Sequence, residues 1–219
     1  MGHVVLGPDY DDAATERGAV GGVQDPHTQR NTLMANRALI VVDLQQEYQS
    51  QGKLPLSGLE DAVANARRLL DAARATDGLI IHIRHETPGG SAEAPFAPGT
   101  PAVDIIAEAA PQGEEAVLIK HYPNAFRDTE LKRRLDDAGI TEVVIVGAMS
   151  HMCIDATART AFDFGYGVTV AHDACATMGL SFDGRDVPAE QVHAAFMAAL
   201  AFAYGRIVST SEVLEGASK

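Results

Sequence analysis

A thiol, a carboxylate and an amine suffice for nucleophilic catalysis, because a base can unmask the thiolate while a cation steadies the developing charges. In this 219-residue sequence such groups recur at one kind of place. Asp43, His85, Lys120, the segment 147–153 and His172–Asp173 each follow a short run of apolar, β-branched residues. Cys153 is expected just inside a helix, where the partial positive charge of the amino end lowers a thiol pKa. Lys120 would add a full positive charge, and Asp43 could take the proton. A lone cysteine is more often inert packing. The company of Asp43 and Lys120 is what singles out Cys153. Cys175, the only other cysteine, lacks a comparable preceding turn and reads as pocket wall or bystander.

The runs that must position these groups are Ala38–Asp43, Leu79–Ile83, Ala116–Lys120, Glu142–Gly147, Val168–His172 and Arg206–Ser209. Their unbroken apolarity suits strands covered on both faces, and their alternation with helical patterns predicts a parallel sheet between helix layers. Ser57–Glu60 has the pattern of a capping box, and Leu59, Val63, Ala66, Leu70 and Ala73 then mark one helix face until Gly78. A second helix is expected to open at Asp128 or Thr129 and to end at Gly139. A third spans about 152–164. A fourth starts at Pro188, with Val192, Phe196, Ala199 and Ala203 inward. The stretches 85–101 and 174–187 are long connections at strand ends, where lids and specificity loops occur. Ligands of open parallel sheets bind outside the carboxyl ends of the strands, which is where the polar residues above fall.

Composition narrows the function classes. With 17 Lys plus Arg against 30 Asp plus Glu, the net charge is −13, which argues against a nucleic-acid partner. No apolar run reaches the roughly 18–20 residues of a membrane span. Two cysteines are too few for a disulfide framework and suit reduced thiols in the cytoplasm. Residues 1–36 show no apolar period and no secretory pattern, and are expected to form an arm, mobile or packed in an oligomer. Residues 37–219 then make one catalytic domain.

Three blocks of this domain resemble the isochorismatase-like cysteine hydrolases, a family that includes nicotinamidases and N-carbamoyl amide hydrolases. Segment 38–48 (ALIVVDLQQEY) is similar to the family's opening strand with its catalytic aspartate. Segment 120–131 (KHYPNAFRDTEL) resembles its lysine block, and segment 147–159 (GAMSHMCIDATAR) its nucleophile segment. The resemblance implies an α/β/α fold with a six-stranded parallel sheet in order 3-2-1-4-5-6. It implies a triad of Asp43, Lys120 and Cys153, a cis peptide between Ala148 and Met149, and an oxyanion hole from the N–H groups of Met149 and Cys153. The implied activity is hydrolysis of a small-molecule amide, carbamoyl or cyclic amide bond, with neither metal nor cofactor, in a dimer or tetramer. Cys153 disfavours the vinyl-ether chemistry of true isochorismatases. No Asp-x-His pair of the metal-dependent nicotinamidases follows Tyr48. A nicotinamidase-type amidase and a non-catalytic binding or assembly protein on the same fold are the alternatives.

Further residues invite roles. Gln45, two residues past Asp43, is expected at the substrate, as is His85 at its strand end. Phe126 could pack or line the pocket. His151 could touch substrate, and a Cys–His dyad with it would leave Lys120 without a task. His82 is expected in the core, and His172–Asp173 as loop braces. In the implied strand order, the lysine strand lies two places from the aspartate strand. That is a gap of about 10 Å for the Lys120 stem to close.

Overall fold

A computed structural model describes residues 36–89 and 91–216. The expected arm, apart from Asn36, lies outside the described residues, as do Gly90 and the last three residues.

Six strands form one parallel sheet: β1 (Arg37–Val42), β2 (Leu79–His85), β3 (Ala116–Lys120), β4 (Glu142–Ala148), β5 (Gly167–Ala176) and a short last strand, Arg206–Val208. Their spatial order is third, second, first, fourth, fifth, last, which is the expected doubly wound topology. Two further strands, β6 (Leu180–Phe182) and β7 (Arg185–Val187), form a separate antiparallel hairpin, so the short last strand is β8. The stretch 174–187 is therefore not one loop. β5 runs four residues past His172, and Asp183–Gly184, both at positive φ, close the hairpin with a two-residue turn. Asp-Gly favours that turn because both central residues must adopt positive φ.

Alternation along β1 divides the core. Ala38, Ile40 and Val42 face one layer, where α2 (Leu131–Asp137), α3 (Asp155–Asp163) and α4 (Ala189–Ala203) contribute Leu131, Leu135, Ala158, Ala161, Met197 and Leu200. Leu39 and Val41 face the other layer, with Leu59, Val63, Ala66 and Leu70 of α1 (Leu59–Arg74) and Val213 and Leu214 of α5 (Thr210–Gly216). Successive strand residues point to opposite faces, so a strand sandwiched by helices must be apolar at every position.

Several helix starts differ from their sequence patterns. Ser57 does not cap α1: its N–H bonds to Thr177 O at 3.0 Å in a short antiparallel bridge, and Gly58 at φ 70° begins the helix. Asp128 sits at φ 56°, outside helical space, and α2 starts only at Leu131. The Thr129 hydroxyl instead donates to Ala125 O at 2.6 Å and accepts from Leu131 N. The third helix is preceded by a π turn over Ser150–Ile154, closed by Ile154 N–H to Met149 O at 3.2 Å. Single π turns of this kind occur often at functional sites. In α4, Ala199 and Ala203 are exposed, while Met197 and Leu200 join Val192 inside. A helix rich in alanine offers more than one apolar stripe, so periodicity alone does not choose between them.

Candidate active site

The site is assembled where β1, β2, β3 and β4 end. Asp43 follows β1 directly, at φ 51°, and its N–H bonds to Ile83 O of β2 at 2.9 Å. Aspartate is one of the few residues that accept this left-handed backbone. Lys120 ends β3 and pairs in register with His85 at the end of β2. Cys153 enters from the turn after β4, near whose end Gly147 pairs with Val42 of β1. Gly147 stands at φ 126°, and a Cβ there would lie 1.9 Å from Val42 O. Only glycine lets β4 pass β1 this closely before the chain turns toward Asp43. The Ala148–Met149 peptide is cis.

These elements bring Asp43, Lys120 and Cys153 together. Lys120 Nζ lies 2.7 Å from Asp43 Oδ2, with both side chains sealed from solvent, and donates to Cys153 Sγ at 3.2 Å. The lysine stem thus crosses the end of β2 and closes the gap of two strand spacings. The 2.7 Å contact is a direct ion pair, and Lys120, the Cys153 thiol and the His85 N–H all favour the charged form of Asp43. A buried carboxylate with spare lone pairs beside a thiol is equipped to take a proton.

The electrostatics differ from the sequence expectation in one respect. The Cys153 thiol is not depressed: burial, and then the Asp43 charge, push it up to about 12 despite Lys120. The few dipoles at the π turn do not offset the loss of water around a sulfur that is 6% exposed. Burial also raises Asp43, outweighing the attraction of Lys120. For Lys120, burial opposes the charge, but Asp43 and Cys153 outweigh it and hold the ammonium above its ordinary range. The resting thiol is therefore neutral and lies beside the closely paired Asp43 and Lys120. Cys175 on β5 is likewise pushed to about 12 by burial, with the Asp173 charge adding to the rise.

The remaining expected residues fall into three groups. His85 is at the site: its Nδ1 lies 3.2 Å from Lys120 Nζ, and burial and Lys120 push its pKa down to about 4. Gln45 is near, but its amide is occupied elsewhere. It is sealed from solvent, donates to His85 O and Val103 O at 2.9 Å each, and accepts from His85 N–H at 2.7 Å. It grips the end of β2, leaving no free group for a substrate. Phe126 packs in the core against Phe164 and Tyr166, with ring centroids 5.3 and 6.2 Å away. His151, half-buried, is held by Thr177 Oγ1 at 2.6 Å and lies edge-on to Phe196. No contact joins His151 to Cys153 among the described residues, so a Cys–His dyad is not formed.

His82 is a core histidine, paired to Glu115 at 2.9 Å, and Asp173 Oδ1 braces α5 by accepting from Thr210 N–H and Oγ1–H. Two aromatic residues packed beside His85 or each other escape sequence reasoning. Phe96 returns from the connection after β2 and meets both His85 and Tyr48 edge-on, at 5.1 Å each. Phe96 is the one large apolar residue in the polar stretch 86–100, a signal that could have found it. Tyr48 also lines a separate cavity of about 660 Å³ with Leu56, Val63 and Ile106, which none of Asp43, His85, Lys120 and Cys153 lines. Among the described residues, no three His, Cys, Asp or Glu side chains converge as a metal-ligand set, and no helix is long and apolar enough to cross a membrane.

A doubly wound α/β sheet with acid, lysine and thiol gathered at its carboxyl edge defines the class: a hydrolase-type site on a Rossmann-like scaffold. The chain belongs to the isochorismatase family, whose Isochorismatase domain profile matches residues 37–213. It is 43% identical to the uncharacterized isochorismatase family protein YddQ of Bacillus subtilis, over 81% of this chain and 98% of that protein. It is 37% identical to a streptothricin hydrolase of Streptomyces noursei, over 64% of this chain and 50% of that enzyme. The crystal structure of an isochorismatase hydrolase from Oleispira antarctica superimposes with a TM-score of 0.79 at 49% identity, covering 83% of this chain and 97% of that one.

Proposed function

We propose that this protein hydrolyses a non-peptide C–N bond of a small molecule (an amide, carbamoyl or cyclic amide) through a thioester on Cys153. The observation that carries the reading is the single buried ammonium of Lys120 touching both Asp43 and Cys153. In the first half-reaction the thiol proton passes to Asp43 as sulfur bonds to the carbonyl carbon. The C–N bond then breaks as Asp43 returns that proton to the leaving nitrogen. In the second, water gives a proton to Asp43 and its oxygen to the acyl carbon, and the sulfur leaves and recovers the proton. Lys120 keeps Asp43 ionised between these steps and faces the sulfur while it carries charge.

The N–H groups of Met149 and Cys153 are the oxyanion donors in this reading. One such donor is worth roughly 2.7–4 kcal/mol of barrier. The streptothricin hydrolase relative supports a hydrolytic reading, since its name describes hydrolysis of streptothricin. No cofactor or metal takes part. The partner is the substrate, not nucleic acid or membrane, and the reading includes a cytoplasmic homo-oligomer, dimer or tetramer, whose mass sedimentation would give.

The test is a panel of primary amides, N-carbamoyl acids and cyclic amides assayed with the wild type and with Cys153→Ala. Turnover of at least one class by the wild type, abolished in a folded Cys153→Ala protein, is expected. Full activity in that variant would end the proposal.

A further inference from the structure

Lys120 has three ammonium protons and three acceptors: Asp43 Oδ2 at 2.7 Å, Cys153 Sγ at 3.2 Å and His85 Nδ1 at 3.2 Å. An ammonium cannot accept a hydrogen bond, so in the third contact His85 Nδ1 must be the acceptor. The single proton of the neutral ring then sits on Nε2. That nitrogen has no partner among the described residues and is not sealed from solvent. The ring is fixed on its other sides. Phe96 meets it edge-on at 5.1 Å, and the Gln45 amide holds the His85 backbone at both N–H and C=O.

Resting on the reading above, we infer that His85 Nε2–H is a hydrogen-bond donor aimed at the substrate, its tautomer locked by Lys120 and its position by Gln45. The substrate then carries an oxygen acceptor, a carbonyl or carboxylate, within reach of His85 as well as the bond that Cys153 attacks. This separates two kinds of work in the cluster. Lys120 serves the reacting sulfur directly and recognises substrate through the ring it orients. Gln45 is a positioning residue, with its effect passing through His85.

Two measurements test this. Nitrogen-15 NMR of the full chain carrying Cys153→Ala should show a pyrrole-like Nε2 and a pyridine-like Nδ1 for His85 at neutral pH. Its signals would be assigned by their loss in His85→Asn. A protonated Nδ1, or an even mixture of tautomers, would overturn the inference.

The second measurement uses kinetics on the best substrate of the panel. Asn keeps an acceptor near the Nδ1 position but drops the Nε2 donor, so His85→Asn should raise KM about tenfold with a smaller change in kcat. Gln places a donor near Nε2 and should recover most of that KM. Wild-type KM in His85→Asn would refute the donor role. Should no amide, carbamoyl or cyclic amide be turned over, the proposed activity fails, and the inference stands or falls on the tautomer alone.

Discussion

Replacing Lys120 by Met removes the cation while keeping most of the buried stem. At 2.7 Å the Asp43–Lys120 attraction is about 6 kcal/mol at an effective dielectric near 20. Without it, burial outweighs the remaining hydrogen bonds from Cys153 and the His85 N–H, and the pKa of Asp43 climbs further above 3.8. The folded variant then holds a proton on Asp43 that the unfolded chain has released. At pH 7, about 3 units above an ordinary aspartate, that costs roughly 4 kcal/mol, within the roughly 3–5 kcal/mol typical of breaking a buried pair. The sign follows from proton counting. The folded variant binds one proton more than the unfolded one, so its stability falls as pH rises, by about 1.4 kcal/mol per unit.

Urea unfolding of wild type and variant between pH 6.5 and 8 reads this slope above the range in which His85 takes a proton. The penalty should grow by about 2 kcal/mol across the window. Adding Asp43→Asn should flatten it and restore part of the stability, because a neutral amide needs no counter-ion. Activity should fall at least about 100-fold in Lys120→Met, since a carboxyl already protonated cannot take the thiol proton. A penalty independent of pH, unaffected by Asp43→Asn, would show that Lys120 acts by packing and not by charge.

Two further outcomes are expected. Gly147→Ala should lower the melting temperature by at least about 6 °C and abolish turnover, since its Cβ would lie 1.9 Å from Val42 O. Gly139→Ala, at φ 66° in open space, is the milder control, and equal effects from the two would refute the steric argument. Iodoacetamide should label Cys153 ahead of Cys175 at neutral pH, although both thiols are buried and pushed to about 12, because only Cys153 has Asp43 beside it. Asp43→Asn should erase the difference, and equal slow labelling in the wild type would count against the mechanism.

The sheet was legible because a strand buried on both faces must be apolar throughout, and few other elements look like that in five or six residues. β3 is the same from sequence and structure, β1 is shifted by one residue at each end, and β4 is one residue longer at its carboxyl end. The helix starts were less legible because they are decided by partners far along the chain. Ser57 has the composition of a cap, but Thr177, 120 residues on, takes its backbone. The β6–β7 hairpin was legible in principle through Asp183–Gly184, and was hidden by the short, exposed strands on either side of it.

The meeting of Asp43, Lys120 and Cys153 could be anticipated as three strand ends on one rim, but the state of the thiol could not. A helix terminus and a lysine beside Cys153 argue for a thiolate. The structure buries all three groups together, and desolvation works against each charge in proportion to its burial. The result is a neutral Cys153 thiol beside the buried Asp43–Lys120 pair. Gln45 and His85 show the same limit from the other side. Sequence placed both at the substrate as separate contacts. The fold makes one of them the holder of the other: an amide with no exposed atoms can only hand its position on, and it hands it to the ring that touches Lys120. On the proposed mechanism recognition and chemistry share one ammonium, so a change at Lys120 should damage both, while a change at His85 should damage recognition first.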